Sequence, residues 1–161
     1  MRREITGFSN PLLKEVRGLR EKKLRKRAGL FLAEGLRIVT EARDAGFLPE
    51  MLFRVKDREV HALEIALESA VLAAGFDVIE TSAEIMAKLS GKDNAQALVG
   101  VYRDHGTALE NIDRSQAPIW LVAQAMRDPG NLGTMLRTGD AVPHRVETDE
   151  IAASPAIDID A

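Results

Sequence analysis

Residues 127–141 read RDPGNLGTMLRTGDA and follow the mainly apolar run IWLVAQ at 119–124. An apolar strand that empties through an Asp-Pro-Gly-Asn turn into a helix is where open α/β sheets bind ligands. Unpaired backbone N–H groups and the positive end of the helix point out of the sheet edge there. Gly130 and Gly133 have no side chain to keep a ligand away, and Asn131 is placed as N-cap or as a side-chain donor. Leu132, Met135 and Leu136 are spaced to anchor the helix inward, leaving Thr134 and Arg137 accessible. The plainer alternative stays open at this level: the glycines shape a turn and Arg137 is an ordinary solvated cation.

A second concentration of chemistry lies at the other end. Residues 1–37 hold seven Arg and four Lys against four Glu, a net of +7, whereas the whole chain carries −3 and the remainder therefore −10. Such segregation suits a polyanion at the N-terminal part while the rest keeps the molecule soluble. Arg17, Arg20, Lys22, Lys23, Arg25, Lys26 and Arg27 could neutralise several phosphates, or they could form a solvated helix face. Aromatic residues are only 4% of the chain, so base stacking is expected to be minor beside shape and phosphate recognition.

Other chemistries are not supported. Phosphate-loop, dinucleotide and nucleophile-elbow fingerprints are absent. His61, His105 and His144 lie far apart in unrelated contexts, so no metal site is expected. The absence of cysteine excludes disulfide frameworks and thiol catalysis and agrees with a reducing compartment. At 161 residues, with 45% hydrophobic and 29% charged side chains, the chain is ordinary for a globular protein with a real core. No apolar run reaches about eighteen residues and no secretory leader opens the chain, so a cytoplasmic location without a membrane partner is expected.

The elements that must position these residues follow from period and punctuation. Ser9-Asn10-Pro11 starts a helix, in which Leu12, Val16 and Leu19 recur at helical spacing, Leu13 and Leu24 widen the stripe, and the other face is basic. Phe31-Leu32-Ala33 reads as a short buried strand, and Gly35 leads into a helix carrying Leu36, Ile38, Val39 and Ala42, ended by Gly46 and Pro49. Met51 to Val55 is a strand. Val60 to Ala74 is a helix, apolar at Leu63, Ala66, Leu67, Ala70 and Val71. Asp77 to Glu80 is a strand, Thr81-Ser82-Ala83-Glu84 a capping box that opens a helix through about Leu89, and Ala97 to Tyr102 a further strand. The alternation predicts a layered α/β domain with a largely parallel sheet over 1–103, then a polar linker at 104–118. A second α/β unit starts at 119–141, and 142–161, VPHRVETDEIAASPAIDIDA, reads as a disordered or poorly packed tail.

DPGNLGTMLRTGDA resembles the first signature motif of the SpoU (TrmH-like) RNA ribose 2′-O-methyltransferases of the SPOUT superfamily, approximately D-P-x-N-x-G-x-x-x-R-[TS]-A-x-A. Asp128, Pro129, Asn131, Gly133, Arg137, Thr138 and Ala141 match, with Gly139 where alanine is usual. Ser9-Asn10-Pro11 with Lys14, the basic run to Arg27, FLAEGLR at 31–37 and Asn94-Ala95-Gln96 resemble that family's N-terminal RNA-substrate-binding domain, which has an L30e-like α/β/α fold. The resemblance spans roughly residues 4–141.

It implies transfer of a methyl group from S-adenosylmethionine to a ribose 2′-hydroxyl of rRNA or tRNA, with Arg137 catalytic and Asn131 beside it. With a pKa above ~12 a guanidinium stays protonated and is a poor general base, but it suits a developing oxyanion or a neighbouring phosphate. RNA contact is implied for Asn10, Lys14, Arg17, Arg20, Lys22, Lys23, Arg25, Lys26, Arg27, Glu34 and Arg37, and a homodimer for the family. After Ala141 the resemblance stops. Two further motifs, which build the trefoil knot, hold the cofactor and form the dimer interface, are not visible, so no cofactor-binding residue is assigned. The second unit therefore reads as the beginning of an incomplete SPOUT knot domain, and activity of this chain alone stays open. A catalytically dead RNA-binding module resembling L30e-type ribosomal proteins is the alternative; an oxidoreductase half built on PGNLG lacks a fingerprint.

Overall fold

Short runs of β-branched and aromatic residues form the strands, and polar or glycine caps open most of the helices between them. The computed structural model describes residues 1–92, 94–105 and 128–141. Along the chain the elements are β1 (Arg2–Ile5), α1 (Pro11–Gly18), α2 (Lys22–Ala28), β2 (Leu30–Glu34), α3 (Leu36–Asp44), β3 (Met51–Val55), α4 (Ala62–Ala73), β4 (Asp77–Thr81), α5 (Ala83–Ser90), β5 (Leu98–Arg103) and α6 (Pro129–Ala141). Two compact units divide at Gly106 and Thr107. The strand expected at 119–124, most of the expected linker and the tail at 142–161 lie outside the described residues.

The first unit is a five-stranded sheet in the order β1-β4-β3-β5-β2. β1 runs parallel to β4 and β4 to β3, while β5 runs antiparallel to both β3 and β2. Four strands therefore share one direction and β5 opposes them, so two of the four pairings depart from the largely parallel sheet that alternation suggested. The reason is length. α5 spans only about 12 Å at 1.5 Å per residue, and the segment 91–97 is long enough to retrace it, so β5 enters from the end where β4 left.

Period-two alternation sorts the core onto two faces. Phe53, Ile79, Val99 and Val101 meet Leu13 and Val16 of α1 and Ile85, Met86 and Leu89 of α5. Leu52, Val78, Leu98 and Tyr102 meet Val39 of α3 and Leu67 and Val71 of α4. The result is three layers, helices on both faces of a mixed sheet.

Several local expectations shift. β1 has no counterpart in the sequence reading, because only Ile5 of its four residues is buried and its charges read as surface. β2 is an edge strand, not a buried one, and Phe31 stays 40% exposed. The N-terminal stripe breaks between α1 and α2: Leu19, Arg20 and Glu21 donate to the carbonyls of Val16, Arg17 and Gly18 in three-residue turns. Leu24 then folds over Gly18, its Cδ1 lying 3.0 Å from where a β-carbon would stand. The cap of α5 is Ser82, whose Oγ accepts from the N–H of Ile85, while Thr81 is buried in β4.

α4 is inverted at its start. Leu63 and Ala66 face solvent, whereas Glu64 and Glu68, one turn apart, point inward. They meet Arg54 of β3, whose Nε lies 3.3 Å from Glu64 and 3.1 Å from Glu68 and whose Nη1 lies 2.8 Å from Glu80 of β4. Arg58 donates to both oxygens of Glu64, at 2.6 and 2.7 Å, and Arg2 reaches Glu68. Burial outweighs the guanidinium of Arg54, and then that of Arg2, in setting the Glu68 carboxyl, which is held above the usual carboxylate range. Its contribution to stability is thus fully present below the unfolded glutamate pKa and is lost as pH rises through the raised folded value.

Candidate functional site

Asn10 accepts from the N–H of Leu12 at 2.9 Å, and Pro11 occupies the first helical position, which fixes where α1 begins. Leu13, Val16 and Leu19 turn inward, so Lys14 and Arg17 turn outward. With Arg20, Glu21 and Leu24 they line an open cleft of about 550 Å³. A smaller hollow shares Lys14 and Arg17 and adds Lys88 of α5, whose Nζ sits 3.9 Å from the centre of the Phe8 ring.

The basic surface continues through Arg20. Its guanidinium covers Gly91, the left-handed C-cap of α5 with φ of 69°, where the carbonyl end of the helix favours a cation. The next residue, Lys92, pairs with Glu34 at 2.8 Å. Gly35, at φ of 104°, donates to the carbonyl of Leu98 and lies under Gln96, whose Oε1 is 3.3 Å from a β-carbon placed there. Arg37 follows on α3, exposed and paired with Glu41 at 2.7 Å, a hydrogen bond that raises its pKa. The structure thus brings Lys14, Arg17 and Arg20 together in one cleft and links Arg20 through Gly91 and Lys92 to Glu34, whereas Arg37 pairs within its own helix, with Glu41.

The remaining candidates divide. Lys22, Lys23, Lys26 and Arg27 are exposed on α2, a helix with no buried residue. Arg25 is half-buried and donates to the carbonyls of Leu19 at 3.1 Å and Arg20 at 2.8 Å, so it braces the α1–α2 turn. Lys88, Gly91 and Lys92 are site residues that the sequence does not reveal. They are far from the basic run along the chain, and only the fold of α5 against α1 brings them to it. A Gly91→Ala substitution drives its methyl into the Arg20 guanidinium in a backbone conformation costly for alanine. Thermal unfolding should register a loss of about 1 kcal/mol, and Arg20 should leave its seat.

In the second unit, Asp128 Oδ1 accepts from the N–H of Gly130 at 2.7 Å, so Asp128 caps α6 and Asn131 is a helical residue too deep to do so. Asn131 is exposed. Leu132 and Leu136 are 39% and 60% exposed, so the anchoring face expected of them is open among the described residues. Arg137 is exposed, and its side chain runs back toward the helix start. Its Nη2 donates to Thr134 Oγ1 at 3.3 Å, Thr134 donates to the carbonyl of Gly130 at 3.0 Å, and Nη1 lies 3.2 Å from where a β-carbon on Gly133 would be. Gly133 is therefore the space the guanidinium uses. The contacts of Arg137 among the described residues include no carboxylate.

A ligand the size of S-adenosylmethionine needs enclosure. Of the described side chains from Asp128 to Gly139, only Gly133 and Met135 are even half-buried. These described residues alone do not form a holder for that cofactor. Among the described residues no helix is long and apolar enough to cross a membrane.

Residues 10–100 match the family described as the MRM3-like substrate binding domain. The chain is 32% identical over 142 residues to an uncharacterized tRNA/rRNA methyltransferase of Synechocystis, covering 85% of this chain and 48% of that protein. It is similar to the AdoMet-bound rRNA methyltransferase of Sinorhizobium meliloti, at 29% identity and a TM-score of 0.67 over 87% of this chain and 51% of that one. A solved RNA 2′-O ribose methyltransferase is 33% identical, with a TM-score of 0.66 over 88% and 52%. The chain spans about half the length of each of these three relatives. With the match at residues 10–100 running over more than half of its length, the chain belongs to the MRM3-like substrate binding domain family, and its relatives in sequence and in structure are named RNA methyltransferases.

Proposed function

We propose that this chain serves 2′-O-methylation of a ribose in rRNA or tRNA, with S-adenosylmethionine as the methyl donor, the first unit capturing RNA and α6 presenting Arg137 to the reacting sugar. The observation that carries the reading is the posture of Arg137: exposed, drawn toward the helix start over Gly133, and tethered to a hydroxyl instead of a carboxylate. A ribose hydroxyl must lose its proton as its oxygen attacks, and charge develops on that oxygen. A guanidinium without a competing anion stabilises such charge and can hold an adjacent phosphate with two parallel hydrogen bonds. Asn131, exposed two positions before Gly133, orients the sugar or the guanidinium.

The three-layered first unit takes the L30e-like role that the resemblance implies, and α6 opens the SPOUT unit. A pair of chains and a cytoplasmic setting belong to the same proposal. Isothermal titration of the purified chain with S-adenosylmethionine tests the enzymatic reading at its most exposed point. Heat of binding supports it, whereas a silent titration beside retained RNA affinity leaves only an RNA-binding module.

RNA capture has its own check. Changing Lys14, Arg17 and Arg20 together to Gln should weaken RNA binding and lower the salt slope of log K by about 0.7 for each phosphate no longer neutralised. Arg25 is left in place because it braces the turn. Superimposable salt titrations for variant and parent would make the α1 cleft a solvated face.

A further inference from the structure

Scarce aromatics suggested that base stacking would be minor, yet the fold gathers them. Four of the seven aromatic residues, Phe31, Phe47, Phe76 and Tyr102, line one groove of about 850 Å³ between β2 and α3, on the sheet face opposite α1. Phe31 and Phe47 are 40% and 53% exposed, although phenylalanine at such positions in a monomer is ordinarily packed away. Phe31 stacks on Tyr102 with ring centres 5.6 Å apart, and Phe47 meets His105 at 5.8 Å.

The groove also has polar equipment that an aliphatic partner would leave unused. The hydroxyl of Tyr102 is buried without a hydrogen-bond partner, and a Glu50–Arg103 ion pair at 2.6 Å forms part of the wall. Buried polar groups left unpaired are uncommon. Charge supplies the third observation. α2 packs against β2, and its exposed Lys23, Lys26 and Arg27 end only two residues before that strand, with Gly29 tied to Asp104 by a 2.8 Å backbone hydrogen bond. Exposed cations thus lie on the helix that leads directly into β2, the strand that carries Phe31 into the groove.

We infer that this groove takes an unstacked nucleobase of single-stranded RNA against the faces of Phe31 and Phe47, with the flanking phosphates held by α2. The inference rests on the proposed capture of RNA and places a second contact surface on the far side of edge strand β2 from the α1 cleft. A strand so bound passes over the sheet edge and engages both helical layers. Stacking tolerates any base, so the groove contributes affinity with little sequence preference.

The test uses the full chain and a single-stranded RNA hexamer carrying 2-aminopurine at its centre, whose fluorescence is quenched when the base stacks on a ring. Phe31→Leu and Phe47→Leu keep the apolar volume and remove the ring. Each should abolish the added quenching and weaken binding about tenfold, within the range for one stacked base. Leu63→Ala, on the exposed face of α4, should change neither. If the hexamer binds and is quenched equally by parent and both leucine variants, the groove is not a base site while the α1 surface stands. If the parent binds no RNA at any salt, the capture reading falls with it. A concentration-dependent dimer in sedimentation that Phe47→Leu dissolves would make the groove a chain-to-chain interface and overturn the inference.

Discussion

Arg137→Ala is expected to erase methyl transfer and leave RNA bound. The side chain makes no contact that the helix needs: it is exposed, and its hydrogen-bond partner is a hydroxyl one turn away. Its removal should therefore cost α6 little. If it stabilises charge on the attacking oxygen, losing that donor should lower turnover by about 100- to 1,000-fold. If RNA is captured by the Lys14–Arg17–Arg20 surface of the first unit, as proposed, its affinity should change by less than about twofold. The measurement is incorporation of labelled methyl from S-adenosylmethionine, in this chain and in a chimera joining residues 1–141 to the C-terminal half of the Sinorhizobium meliloti relative. Arg137→Lys discriminates further, because a point charge cannot copy the planar fork, and only partial recovery is expected. Equal turnover for the parent and alanine chimeras would remove Arg137 from the chemistry.

The largest effect on stability should come from Arg54→Met. Arg54 is 8% exposed and is shared by Glu64, Glu68 and Glu80, so its loss leaves buried carboxylates short of a cation. Breaking one side of a buried ion pair costs about 3–5 kcal/mol, a large share of the roughly 5–15 kcal/mol that holds a domain together. Urea unfolding at neutral pH should show the midpoint falling accordingly. Acid should narrow the gap. Glu68 already binds its proton more tightly than an unfolded glutamate does, and without Arg54 that preference grows, so the variant gains stability as pH falls toward the unfolded glutamate pKa. Replacing Arg54, Glu64 and Glu68 together by Met and two Leu should restore much of the loss, since no charge is then buried. A midpoint that does not move in Arg54→Met would mean that Arg2 and Arg58 suffice.

That network also marks where the sequence misled. In Val60 to Ala74 the apolar residues suggested which side faced the core, but Leu63 points out and Glu64 and Glu68 point in. The deciding fact is Arg54, inconspicuous in the strand text MLFRV, whose position on the α3–α4 face depends on register with Glu80. Strand Met51–Val55 itself was readable because it has a strand on either side and a helix layer on each face, giving an apolar run interrupted only by Arg54. β1 was not, because it borrows its order from β4: Arg2 and Arg3 look like surface until Glu68 and Asp77 stand opposite them.

The candidate site divides the same way. Asn10-Pro11 and the outward cations of α1 obey local rules of capping and period, and so were legible. Gly91, Lys92 and Gln96 enter through contacts with residues more than fifty positions away in the chain, which no local pattern encodes. The aromatic groove is hidden for a related reason, since Phe31, Phe47, Phe76 and Tyr102 occupy four different elements or loops.

The threading of the sheet has a consequence for biogenesis. β2 and β3 do not touch; β5, synthesised last of the five, lies between them and hydrogen-bonds to both. A nascent chain released only through α5 can assemble β1, β4 and β3, but β2 has no neighbour to close onto, and the turn carrying Glu34 and Gly35 lacks its partner at Leu98. Translation must therefore pass Arg103 before the five-stranded sheet can close and before Glu34 and Gly35 gain their partners on β5, so the edge carrying β2 is the last part of the scaffold to be fixed.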